Sequence, residues 1–436
     1  MEWQFTLIIL LGSLVILLAT GIPVAFGFLL ITLFFIGFFG GGMPGLLRVT
    51  HTLWDGLSRF SILPIPMFVL LGEIIFRTDM AFHAIDVVDK WLGKIPGRLG
   101  IVTVVAATLL SALSGATIAT TATLGDTLLP EMERRGYKKP IAIGSIIGSG
   151  GLAMLIPPSG LAVLWASIAQ ESIGKLLIAG ILPGLIIAFF YSVYVIGRCW
   201  LQPHLAPPYA PTTTSFPKKL LETAKYVLPL GLVILMVTGF IFLGIATPSE
   251  SAAMGVLGAL ILAAAYRKLT WDMLKKSLHN TLRITVMIFV IVAASRAYSQ
   301  ALAVSGASRG MIDWIMGLGL PPMMLIISML FTVLFLGMFM SAFPIMMLTL
   351  PMYMPIVLTL GYDPIWFGLI YLVCIEMSLT TPPYGSILFV MKGIAPPGTT
   401  FGEIVRSGIP FLVCDATAVA LVIIFPILAL WLPNTI

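Results

Sequence analysis

Charged residues divide this chain into apolar intervals, and the intervals have the length of membrane helices. No Asp, Glu, Lys or Arg occurs from Trp3 to Leu47, enough for two helices of roughly 20 residues each, with Thr20-Gly21-Ile22-Pro23 as the turn between them. Further long apolar runs cover Leu99 to Gly125, Pro140 to Gln170, Leu176 to Gly197, Tyr226 to Ser249, Ser251 to Tyr266, Trp314 to Tyr362 and Ala416 to Ile436. Shorter ones surround Ser61 to Leu71 and Ile284 to Ser295. The pattern predicts an all-α, polytopic integral membrane protein.

Lysine and arginine set the orientation. Basic clusters at Lys90/Lys94/Arg98, Arg134/Arg135/Lys138/Lys139, Arg198/Lys218/Lys219/Lys225 and Arg267/Lys268/Lys275/Lys276 all belong in the cytoplasm by the positive-inside rule. The run from Leu99 to Leu129 has such a cluster at each end, so it enters and leaves on one side, yet two full crossings would need about 40 residues. A re-entrant hairpin over about 99–129 is expected. Its middle, Ser111 to Thr123, is small and hydroxyl-rich, as suits irregular backbone held against protein or a water-filled cavity. The Pro-rich connector Gln202 to Pro217 divides the chain into a first half, 1–201, a cytoplasmic linker, 202–225, and a second half, 226–436.

The halves repeat. Pro130, Gly136, Tyr137, Pro157, Pro158 and Gly160 recur as Pro355, Gly361, Tyr362, Pro382, Pro383 and Gly385 at one offset of 225 residues, and all six are Pro, Gly or Tyr, most of them residues that fix backbone geometry. The same offset carries Arg134, Arg135, Lys138 and Lys139 onto Thr359, Leu360, Asp363 and Pro364, where no positive charge remains. The second copy is therefore expected to face outward, giving an inverted repeat with a second hairpin at about 321–360. The broken helices are expected at about 140–170 and 364–395, within roughly ten full spans and with both termini outside. Paired prolines forbid a continuous helix at either break; carbonyls freed there, with nearby hydroxyls, suit an alkali cation, and half-helix N-termini attract an anion, as in secondary transporters.

Composition agrees: 59% of residues are hydrophobic and 10% charged, against about a quarter charged in soluble domains. The net charge of +6 follows from cytoplasmic loops, and no nucleic-acid partner is implied. No basic region precedes the first apolar stretch, which argues against a cleavable signal peptide. Cys199, Cys374 and Cys414 are too few and scattered for a disulfide framework or zinc site. His83, Asp86 and Asp89 share a face of a mixed-charge stretch that reads as an interfacial helix, and Gly306-Ala-Ser308-Arg-Gly310 lacks the strand-to-helix setting of a hydrolase elbow. No metalloprotease or Walker sequence occurs, so the chain is not read as an enzyme or ATP motor. A channel would show a continuous polar pore lining, whereas the intramembrane charges Glu73, Asp126, Glu250, Arg296, Glu376, Lys392 and Asp415 are isolated. Arg296 is the cation suited to a substrate carboxylate; Glu73, Lys392 and Asp415 are expected to pair structurally or lie near an interface.

Over essentially its whole length the chain resembles the large membrane subunit, the M or DctM type, of TRAP (tripartite ATP-independent periplasmic) transporters. The motifs are Ala19-Thr-Gly-Ile-Pro-Val-Ala25, Ser114-Gly115 with Ala119, Ile156-Pro-Pro-Ser159, Ala179-Gly-Ile-Leu-Pro-Gly184, Ala246-Thr-Pro-Ser-Glu-Ser-Ala-Ala253, Gly361-Tyr-Asp-Pro364 and Thr381-Pro-Pro-Tyr-Gly385. The resemblance implies an elevator-type carrier of the bacterial inner membrane that imports a small organic acid with sodium. It also implies a separate small four-helix membrane subunit (Q type) and a periplasmic substrate-binding protein (P type). Carried over, one sodium site would use Ser114, Gly115, Ala116, Thr120, Ala153 and Pro158, and a second Gly337, Ser341, Ser378, Thr381 and Pro383. Thr117 and Ser159, with Arg296, would meet the substrate. An acidic residue is common in the family where Thr120 and Ser341 stand, and Gly where Ala153 and Ser378 stand. These departures, with Met391-Lys-Gly-Ile-Ala-Pro-Pro-Gly398, resemble the branch labelled mannitol/chloroaromatic or keto-acid. A stand-alone carrier of the divalent-anion type, which needs no binding protein, is the alternative.

Overall fold

A computed structural model describes residues 3–435 except 79, 116 and 208–214. Every regular element among the described residues is a helix. Helices α1 (Trp3–Ala19) and α2 (Val24–Phe39) are joined at the expected turn, where Gly21 takes φ +82°, and α3 (Met43–Leu57), α4 (Pro64–Arg77) and α5 (Met80–Trp91) follow. In α5, Asp89 pairs with Arg98 at 2.8 Å and the His83 ring lies 4.8 Å from that of Tyr226, so these side chains serve packing. Burial pushes the Asp86 carboxyl up against the opposing pull of Lys90 and His83.

The next elements come in two copies. In the first, α6 (Arg98–Ser114) turns at Gly115 into α7 (Thr117–Arg134), and α8 (Lys139–Gly150) passes through a tight turn, Gly151–Met154, and the cis Pro157-Pro158 bond into α9 (Gly160–Ala169). Then come α10 (Ile173–Ala179) and α11 (Ile181–Leu201). The second half opens on one span built of α12 (Phe216–Glu222), α13 (Leu228–Ile234) and α14 (Phe240–Phe242), linked by π-helical turns at Thr223–Val227 and Leu235–Gly239. With Pro217 in its first turn, where a missing N–H costs nothing, this span begins inside the stretch expected to be linker. It is followed by α15 (Pro248–Ala265), α16 (Trp271–Val304) and α17 (Ala307–Gly317).

The second copy is α18 (Pro322–Gly337), α19 (Ala342–Thr359), α20 (Pro364–Leu379), a cis Pro382-Pro383 break and α21 (Ser386–Ile394); α22 (Phe401–Ile424) and α23 (Ile427–Leu430) close the chain. Helix α19 starts and ends 225 residues after α7, and α20 starts 225 after α8. Among the described residues six helices are long and apolar enough to cross a membrane: 173–201, 216–242, 248–265, 271–304, 342–359 and 401–424. Six further apolar helices, α20 among them, are shorter. The centre is dense: Trp165 of α9 seats on Gly368 of α20, and Trp366 Nε1 donates to Val422 O of α22 at 2.9 Å.

Helix starts follow their local chemistry. Thr247 and Glu250 form a reciprocal capping box on α15, Thr400 and Glu403 do so on α22, and Asp363 accepts from the Ile365 and Trp366 amides at 2.8 and 3.1 Å to start α20. Each satisfies amides that a helix N-terminus leaves without intrahelical partners.

Candidate functional site

Each tip is tied to the break that follows it. Gly160 N donates to Gly115 O at 3.3 Å in the first copy, and Tyr384 N donates to Met338 O at 3.0 Å in the second. Gly115 takes φ +57°, and a Cβ there would lie 2.4 Å from Pro158 O, so the bare backbone lets the tip reach the break. Ser159 caps α9, its Oγ accepting from Ala162 N at 3.2 Å. In the second copy a Cβ on Gly337 would fall 1.9 Å from Ser378 Oγ, so α18 and α20 also meet at a glycine.

Both tips and both breaks wall a cavity of about 270 Å³. Gly115, Thr117, Pro158 and Gly160 line it from the first copy, and Ser341, Ala342, Leu379 and Ser386 from the second, while α4 and α16 supply Gly72, Glu73, Ile284 and Ile288. Glu73 is the only charged residue in the lining among the described residues; it pairs with Arg77 at 3.1 Å and accepts from Asn280 Nδ2 at 3.3 Å.

The residues carried over for sodium lie on these elements. Ser114 ends α6, though its side chain, like all of Ala116, falls outside the described set. Gly115 and Pro158 meet directly; Thr120 is buried one turn into α7, and Ala153 is fully buried in the tight turn after α8. In the second copy Gly337 meets Ser378, Ser341 stands at the start of α19, and Pro383 is exposed on the break. Ser378 Oγ donates to Ile375 O and Thr381 Oγ1 to Met377 O, both at 2.6 Å. A hydroxyl that spends its proton on a carbonyl turns only lone pairs elsewhere, which is what a cation requires. Near the first tip and break the hydroxyls of Ser111, Thr117, Thr121 and Ser149 are buried without a hydrogen-bond partner. Neutral hydroxyl and carbonyl oxygens suit an alkali ion, and no cluster of three His, Cys, Asp or Glu exists among the described residues.

Of the three residues expected to meet substrate, Thr117 lines the tip cavity, Ser159 caps α9 beside it, and Arg296 lines a separate cavity with Arg59 and Gln170. The other intramembrane charges have local partners or exposure: Asp415 accepts from the Tyr191 hydroxyl, Lys392 donates to Thr399 O, Glu250 caps α15 and Asp126 is exposed. Glu376 differs. It is 1% exposed, neither oxygen has a hydrogen-bond partner, and it fills the notch left by Gly151. The 225-residue offset maps Gly151 onto Glu376, so the two stand at matching positions of the copies.

A family model described as the DctM component of tripartite ATP-independent periplasmic transporters matches residues 11–428. The chain is similar to the C4-dicarboxylate TRAP transporter large permease protein DctM of Pseudomonas aeruginosa, 31% identical with 88% of each chain covered. It is also similar to the 2,3-diketo-L-gulonate permease YiaN of Escherichia coli, 30% identical with 93% of each covered, and to the ectoine permease TeaC of Halomonas elongata, 29% identical over 97% of this chain and 98% of that one. Relatives named for such different substrates match about equally, so no branch is singled out. Among solved structures the Alcanivorax borkumensis YdaH transporter shares the fold, with a TM-score of 0.63 at 15% identity over 91% of this chain and 90% of that one. The chain therefore belongs to the DctM-component family of tripartite ATP-independent periplasmic transporters, multi-pass proteins of the bacterial inner membrane that carry out secondary transport and are not enzymes.

Proposed function

We propose that the chain imports a small organic acid together with sodium, receiving the acid from a periplasmic binding protein and working beside a small four-helix membrane subunit. The observation that carries this reading is the cavity walled by both tips and both breaks. Its lining holds no Lys or Arg among the described residues, so an acid entering it lacks a fixed counter-charge. Sodium held by Ser114, Gly115, Ala116, Thr120, Ala153 and Pro158, and by Gly337, Ser341, Ser378, Thr381 and Pro383, supplies that charge, and coupling follows because acid and cations stabilise one another. Thr117 and Ser159 face the acid. The hairpins at about 99–129 and 321–360 and the broken helices at about 140–170 and 364–395 form the moving body of an elevator. The halves 1–201 and 226–436, joined by the cytoplasmic linker 202–225, are inverted copies. The paired elements at a constant offset support that division.

The test is uptake of labelled C4-dicarboxylates and other small carboxylates into proteoliposomes carrying this chain and its small subunit, with the binding protein outside. Uptake should require both an inward sodium gradient and the binding protein. The Ser341→Ala and Thr381→Ala variants should raise half-saturating sodium about tenfold, the loss of one ligand bond. Uptake without the binding protein would favour the stand-alone carrier, and uptake driven by protons with no sodium effect would remove the cation assignment.

A further inference from the structure

The Arg296 cavity is a second chamber on the same helices. It encloses about 270 Å³, and three mutually packed helices line both chambers. Along α9 the lining passes from Leu161 to Ile168, along α16 from Ile288 to Ser295, and along α19 from Phe343 to Pro351. Steps of seven or eight residues on three helices place the chambers about 10–12 Å apart along one column.

Its chemistry is the reverse of the tip cavity's. Arg296 is 9% exposed, its stem lies against Gly56 of α3, and one Nη donates to Ser167 O at 3.2 Å. Its Nε is buried without a partner, as is the Ser295 hydroxyl, and Arg296 has no ion pair among the described residues. The neighbouring groups are donors too. Gln170 Oε1 accepts from Arg59 and Gln300 Oε1 from Thr52, leaving each amide its NH₂ to give. Asp55, exposed at the rim, is the one acid in the lining among the described residues. A buried guanidinium among spare donors is costly unless an anion completes it.

We infer that this chamber is an anion site that takes a carboxylate of the transported acid, a station separate from the tip cavity on the same column. The inference rests on the organic-acid reading above. The guanidinium offers the parallel N–H pair that carboxylates bind best, and the chamber can hold the acid while the tips rearrange.

The test reads local charge and occupancy without transport, so it fails independently of the sodium-coupled uptake assay. Ser299→Cys, in the full chain with its small subunit and with Cys199, Cys374 and Cys414 replaced by alanine, is labelled with an anionic and a cationic methanethiosulfonate. The anionic reagent should react faster by about tenfold, Arg296→Gln should abolish the preference, Arg296→Lys should keep it, and Asp55→Asn should strengthen it. Succinate, as the probe, should slow labelling while chloride at equal ionic strength should not. Equal rates for the two reagents, or no protection by succinate in either the parent or the Asp55→Asn chain, would overturn the assignment. Protection by the binding protein alone would assign the arginine to protein docking instead.

Discussion

Replacing Gly151 by alanine is expected to destabilise the protein by about 3 kcal/mol, at the upper end of the cost of overpacking a filled core, and removing the Glu376 side chain is expected to recover most of that loss. A Cβ on Gly151 would lie 1.6 Å from Glu376 Oε1, 2.1 Å from Cδ and 2.4 Å from Cγ. The whole carboxylate arm, 1% exposed, would have to leave a site with no room beside it. Thermal unfolding of the purified complex in detergent, run on Gly151→Ala, Glu376→Ala and the double variant, measures the coupling directly. A double variant more stable than Gly151→Ala alone, by about 2 kcal/mol, establishes the contact. Additive losses would show that the glycine is needed for another reason.

This pair shows how far the sequence is legible. Turn chemistry is local, so Thr20 to Pro23 could be read directly, whereas Glu250 counted as an intramembrane charge until the structure showed it in the Thr247–Glu250 capping box, and the Asp363 cap also emerged only there. The breaks were legible because adjacent prolines deny a helix its donors wherever they stand. Contacts between copies were not. Gly151 sits between Gly150 and Leu152 with nothing in the sequence to mark it, and only packing α20 against the turn after α8 turns it into a socket for Glu376. Arg296 was picked for its charge, and nothing in a one-dimensional pattern separates it from Thr117, whereas along the column of α9, α16 and α19 the two line different chambers.

The tip glycine should carry the larger functional effect. Gly115→Ala is expected to cut sodium-driven uptake by more than about tenfold and to raise half-saturating sodium, because two costs add there. The first is the left-handed backbone at φ +57°, worth about 1–2 kcal/mol for a residue with a Cβ. The second is steric: the new methyl would lie 2.4 Å from Pro158 O and 3.0 Å from Gly160 N, both backbone atoms that cannot rotate aside. To relieve it the tip must lift from the break, losing the Gly160–Gly115 hydrogen bond and separating the carbonyls assigned to the cation. Gly361→Ala isolates the first cost, since Gly361 has φ +75° but nothing within 4 Å of its added Cβ; that variant should transport within about twofold of the parent despite a similar backbone penalty. Uptake and sodium titration of both variants at matched membrane expression decide the matter. Equal loss in the two would mean that backbone strain alone is responsible, whereas loss confined to Gly115 ties transport to the contact between tip and break, the place where the cation and the acid must be held together.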